Sequence, residues 1–160
     1  MIPRYTHPEM GGIWEEQRKY DTWLRVEVAA TEAMAATGVV PEDAARDIAS
    51  CAGVRAERVD EIEQTTRHDV IAFTTAVAEQ VGPSARWLHF GLTSSDVLDT
   101  ALALLMRQAC GLILDDLGQL LEAVADRARE HRDTAMIGRT HGVHAEPMTF
   151  GLKLALWHAE

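Results

Sequence analysis

From about Ser95 to His131 the sequence runs without a proline, and Leu98, Ala101, Leu102, Leu105, Leu112, Leu117, Leu120, Leu121 and Val124 recur at helical spacing. Only Gly111 and Gly118 weaken the pattern. At 1.5 Å per residue such a helix spans roughly 55 Å. A globule of 160 residues cannot cover that much apolar face by itself. The stretch therefore predicts a long helical bundle, assembled with other chains. Thr93, with Asp96 three residues on, fits a capping box in which Asp replaces the usual Glu. On composition alone, the hydroxyls of Thr93, Ser94 and Ser95 need do no more than start this helix.

The rest of the chain also reads as helix. Residues 1–11 are irregular, with Pro3, Pro8 and Gly11. A helix is expected from about Ile13 to Thr37, where Ile13, Tyr20, Trp23, Leu24, Ala30 and Met34 share a face, and Gly38 is a plausible stop. Pro41-Glu42-Asp43 opens a short helix. Another runs from about Ala56 to Thr65, with an acidic, solvated face, and a further one from about Val70 to Gln80, ended by Gly82-Pro83. After a short extended stretch from Thr134 to Gly138 and a loop at 139–148, helix resumes from Thr149 to Glu160. No strand alternation is evident. The expected class is all-α: an N-terminal helical domain over 1–93 leading into the start of a long-helix bundle over 94–160.

Composition narrows the function. Hydrophobic residues make up 47% of the chain, so it is a folding sequence rather than a disordered one. A net charge of -10 argues against nonspecific binding to nucleic acid or an anionic membrane surface. It leaves room for an anionic small ligand in a local arginine-histidine pocket. Cys51 and Cys110 are far apart and without a CxxC pattern, which fits reduced, part-buried thiols in a cytosolic protein. The N-terminus carries no apolar signal-peptide core, and no apolar run approaches the roughly 20 residues of a membrane span. A cytoplasmic protein is the expectation.

The chemistry concentrates at helix junctions. The stretch from Arg139 to Gly151 gathers Arg139, Thr140, His141, His144 and Glu146 between Gly142 and Pro147, which break any helix. His141 is the best candidate for a general acid or base there. Arg67, His68 and Asp69 join two helices. Asp69 could cap the second, and an arginine and histidine at a helix start also make a natural anion site. Arg4 beside Tyr5 could hold a phosphate by charge-assisted hydrogen bonds, or be an exposed terminus. His7, His131, His144 and His158 read as ordinary surface or packing residues. His141, His144 and Glu146 are too interrupted to form a helical metal-binding face, so no metal is expected. A Walker loop, a GxGxxG turn and a GxSxG elbow are all missing.

Taken together, Met1-Ile2-Pro3-Arg4-Tyr5, Thr66-Arg67-His68-Asp69-Val70, Leu88-His89-Phe90-Gly91-Leu92-Thr93-Ser94-Ser95-Asp96 and the run from Gly138 to Gly151 resemble the adenylosuccinate lyases of the fumarase/aspartase superfamily. The resemblance covers the whole chain. It implies β-elimination of fumarate from adenylosuccinate and from SAICAR, giving AMP and AICAR, through a carbanion, with no metal or organic cofactor. By the same resemblance His141 matches the general acid that protonates the leaving nitrogen. Arg4 and Tyr5 match phosphate-holding residues, and Arg67, His68 and Asp69 a substrate-binding block, with His68 supporting His141. Thr93 and Ser94 match hydroxyls for the succinyl carboxylates, and His89 falls near the site. The family's base is a serine on a mobile loop with a Met-Pro-x-Lys pattern, which these residues do not contain. The resemblance also implies a homotetramer when complete, whose sites draw on three subunits. The abrupt end at Glu160 suggests an excerpt, and the alternatives are a noncatalytic helical assembly protein or another lyase of the superfamily.

Overall fold

A computed structural model describes residues 2–160, so Met1 of the opening motif lies outside the described residues. The helices are α1 (Pro8–Ile13), α2 (Glu16–Ala36), α3 (Glu42–Cys51), α4 (Ala56–Thr66), α5 (Asp69–Val81), α6 (Ser94–Glu130) and α7 (Phe150–Ala159). Two short strands, β1 (Ala135–Thr140) and β2 (Val143–Thr149), pair antiparallel. The all-α class holds, with a single hairpin added. The chain divides into two compact units, one ending at Ala109 and one spanning Cys110–Glu160.

In the first unit the N-terminal segment is more regular than its prolines suggested. Pro3–Tyr5 forms a 3-10 turn, and Pro8 sits in the first turn of α1, where its missing N–H costs nothing. A Cβ on Gly11 would come within 2.7 Å of Thr6 Cγ2, so glycine permits this fold-back. The helix expected over 13–37 is α2, which starts at Glu16 because Glu15 adopts extended backbone as its N-cap, so that Ile13 closes the separate α1. Gly82–Trp87 adds a second 3-10 turn that the sequence did not announce.

The core forms on α2 and α5. Tyr20 and Trp23 meet edge to face at 5.2 Å, Trp23 and Phe73 at 5.4 Å, and Tyr20 stacks on Phe73 at 6.1 Å. Each such pair adds about 0.5–1.5 kcal/mol beyond the area it buries. Ile48, Val59, Val77 and Val97 are fully buried around them. Val97, Ala101, Leu105 and Ala109 seat the first turns of α6 in this unit. Cys51 and Cys110 are free and exposed, not part-buried as expected, since each lies on a solvent-facing helix position.

In the second unit α6 ends at a turn held by Thr134 N–H donating to the His131 carbonyl (3.1 Å). Phe150 N–H returns to the Thr134 carbonyl and Gly151 N–H to the His131 carbonyl, each at 2.9 Å, which closes the base of the hairpin. A Cβ on Gly151 would lie 2.5 Å from the Ala128 carbonyl and 2.7 Å from Arg132 Cα, so only glycine allows α7 to approach α6 this closely. Thr149 caps α7, its hydroxyl accepting from Leu152 N–H (3.2 Å). The strands escaped the sequence reading for a visible reason: the register shifts between Ile137 and Arg139, and Pro147 lies opposite Ile137. A proline and a bulge together erase period-two alternation.

The α6 helix is also more apolar than the sequence reading allowed. It contains an 18-residue window of mean hydropathy 1.6, enough by length and composition to cross a membrane. Ile113, Leu114, Leu117, Leu120 and Leu121 are exposed along its second half.

Candidate functional site

The α4–α5 junction places Arg67, His68 and Asp69 side by side. Arg67 takes left-handed backbone (φ 52°) as the C-cap of α4, its N–H returning to the Glu63 carbonyl. That turn reverses the chain and leaves the Arg67 side chain exposed. His68, not Asp69, caps α5: its Nδ1 accepts from Ile71 N–H at 3.3 Å. Asp69 lies one residue too far along to cap, and its carboxylate instead accepts from Val70 N–H at 2.8 Å. The same Nδ1 also lies 3.4 Å from the Asp69 carboxylate, so the junction holds the ring at the helix start from two sides.

The start of α6 leaves its hydroxyls unused. Asp96 accepts from Thr93 N–H at 2.8 Å, one half of the expected capping box. The other half is missing, because Asp96 N–H bonds the Thr93 carbonyl rather than its hydroxyl. Among the described residues, neither the Thr93 nor the Ser94 hydroxyl has a hydrogen-bond partner within the chain. Two free hydroxyls at a helix N-terminus suit a carboxylate or phosphate.

His89 opens the turn leading to them. Its φ is 60°, and Gly91 follows at 72°. The ring Nδ1 lies 2.5 Å from Glu27 Oε1, and the His89 backbone N–H donates to Glu27 Oε2 at 2.9 Å. Glu27 is completely buried on α2. The sequence reading missed it, although a signal was present: Glu27 shares the face of Tyr20, Trp23 and Thr31, and an acid on an apolar stripe requires a partner.

Arg4 and Tyr5 are exposed on the first 3-10 turn, the guanidinium 4.8 Å above the phenol ring. That stacking keeps a cation and a hydroxyl on the same surface spot.

In the second unit His141 and Gly142 form the two-residue tip of the hairpin, with φ of 54° and 75°. Positive φ at both positions is the type I′ geometry that matches strand twist. His141 is exposed there. Below it Arg139 donates to His144 Nε2 across the strands at 3.2 Å. His131 is likewise occupied, between Arg127 and the Thr134 hydroxyl.

One backbone feature links these places. Among the described residues the non-glycine positions with positive φ are Arg67, His89 and His141. Each costs about 1–2 kcal/mol relative to ordinary backbone. All three fall in motifs already singled out for chemistry, and such strain gathers where function requires it.

Comparison with known proteins shows what the chain as a whole is similar to. A family model described as "Lyase" matches residues 4–160. Adenylosuccinate lyase of Bacillus subtilis (strain 168) is 51% identical over the whole chain, and that of Streptococcus mutans serotype c is 54% identical. The chain spans 37% of the length of each of these relatives. Among solved structures, the 3-carboxy-cis,cis-muconate lactonizing enzyme from Pseudomonas putida superposes with a TM-score of 0.85 at 34% identity, covering 96% of this chain and 37% of that one.

Proposed function

The chain belongs to the lyase family, and on that premise we propose that it carries part of the active site of an adenylosuccinate lyase. The observation that carries the reading is 51–54% identity to adenylosuccinate lyases along all 160 residues. The unpaired hydroxyls, the capped histidine and the strained loop histidine lie within that match.

In this reading the substrates are adenylosuccinate and SAICAR. Arg4 and Tyr5 hold the phosphate by charge-assisted hydrogen bonds. Thr93 and Ser94 donate to the succinyl carboxylates. Arg67 adds positive charge, and His68 positions the substrate at the start of α5 and supports His141. A base removes the Cβ proton, and the resulting carbanion is stabilised by the adjacent carboxylate. The C–N bond then breaks, and His141 delivers a proton to the departing nitrogen. Fumarate leaves with AMP or AICAR. No metal or organic cofactor enters these steps, and the base comes from outside these 160 residues. The exposed apolar half of α6 supports a helical bundle shared with other subunits, a homotetramer in this reading. A cytoplasmic location goes with it.

The test is fumarate release by the full-length protein from adenylosuccinate and from SAICAR, each followed by mass spectrometry. Release from both is expected, and release from neither overturns the reading. A second reading, a cycloisomerase or another lyase of the superfamily, is favoured by the likeness to the muconate enzyme. Arg4→Ala separates the two. It should raise KM for adenylosuccinate about tenfold with little change in kcat, as expected for binding shared by ground and transition states. An unchanged KM counts against a phosphate at Arg4.

A further inference from the structure

Glu27 carries no role in the steps above, yet few side chains here are so completely committed. It is fully buried, and both its oxygens are spent on one residue, Oε1 on the His89 ring and Oε2 on the His89 backbone. A buried carboxylate must be hydrogen-bonded, and both of its partners among the described residues come from His89. The partner is not itself sealed in: the His89 side chain keeps 24% exposure, and its Nε2 has no hydrogen-bond partner among the described residues. The ring also sits on the turn that delivers Thr93 and Ser94, with Leu92 N–H donating to the His89 carbonyl at 3.3 Å.

We propose that Glu27 is a positioning residue: it pins the proton of the His89 ring on Nδ1, holds the left-handed backbone beneath it, and so presents Nε2 to the substrate beside the Thr93–Ser94 hydroxyls. The logic is that of any carboxylate behind an imidazole. A carboxylate accepts from both donors at once and admits one tautomer. Glutamine has the same shape but a single acceptor. Its carbonyl must keep the backbone N–H, which cannot give up its proton. Its NH2 then faces Nδ1, and the ring proton moves to Nε2. Glu27→Gln therefore inverts the face that His89 offers without emptying the core.

The rate readout rests on the adenylosuccinate lyase reading; the tautomer readout does not. In the full-length protein, 15N-labelled on histidine, the His89 correlations should report Nδ1–H in wild type and Nε2–H in Glu27→Gln. With adenylosuccinate, Glu27→Gln should lower kcat/KM about tenfold or more at an unchanged melting temperature. In a His89→Asn background, where asparagine tolerates the same left-handed backbone, adding Glu27→Gln should cost less than twofold. Equal losses in both backgrounds, or a loss under twofold in wild type, would overturn the proposal. If wild type releases no fumarate, the functional reading fails, and the tautomer decides the proposal alone. If Glu27→Gln yields no folded protein, a wild-type His89 protonated on Nε2 only would still overturn it.

Discussion

His89 and His141 share a left-handed backbone and are held in opposite ways. His89 is braced from inside its unit: a buried carboxylate grips its ring and its N–H, and aromatic packing on α2 grips the carboxylate's helix. His141 is presented: it stands exposed at the tip of a two-residue turn, with no side-chain hydrogen bond among the described residues. If Glu27 positions the ring as proposed, His89 meets a substrate with its proton already assigned. A presented group can approach a substrate from the hairpin, but the surface that dries and completes its surroundings must come from elsewhere. On the function proposed above, the first unit binds the substrate and the second delivers the proton.

If that contrast is right, the 160 residues alone should release no fumarate from adenylosuccinate, since an exposed acid without a base or an enclosing surface has nothing to complete. Measurable release by the purified chain would end the distinction. In the full-length protein His141→Asn should lower kcat roughly 10²–10⁴-fold, the usual contribution of general acid–base catalysis. Its melting temperature should stay constant, because the side chain is exposed and asparagine accepts positive φ. A drop in melting temperature would mean that His141 is braced after all.

A smaller effect tests the hairpin's base. Gly151→Ala drives a methyl group into the α6 backbone and should destabilise the second unit by about 1–3 kcal/mol, read by hydrogen exchange at Phe150 and Leu152. The first unit's amides should exchange unchanged. Smallest is the surface ion pair between Arg58 and Glu79, with contacts of 2.7 and 3.0 Å. The hydrogen bonds from Arg58 hold the Glu79 carboxyl below its ordinary value of 4.5. Its contribution is thus full above about pH 4.5 and lost as pH falls through the lower folded value. Both side chains are about half exposed, so Glu79→Gln should barely move the urea midpoint at neutral pH, and less still in high salt. A large shift would show that bracing extends to the surface.

Much of the scaffold was legible in the residues. Acidic first turns, a glycine-proline stop and the Thr93–Asp96 pairing located α4, α5 and α6 to within a residue or so of where they lie. These are local signals, and helices are made of local hydrogen bonds. The same locality explains why Arg67, His68 and His141 stand out in the residues themselves, each where a helix or turn begins or ends, whereas the roles expected of Thr93 and Ser94 came from the family resemblance.

Other features depended on partners distant in sequence. Whether His68 or Asp69 caps α5 turned on a one-residue register that composition leaves open. The hairpin hid behind Pro147 and a bulge, because pairing strands is a tertiary act with weak local propensity. Glu27 and His89 are 62 residues apart and meet only once α2 and the turn before α6 have packed. Sequence by itself determined where helices run and which residue types flank them, since those follow from neighbours three or four positions away. Tertiary structure alone decided which partners those residues meet, because a buried carboxylate and a strained turn act only where the fold brings them.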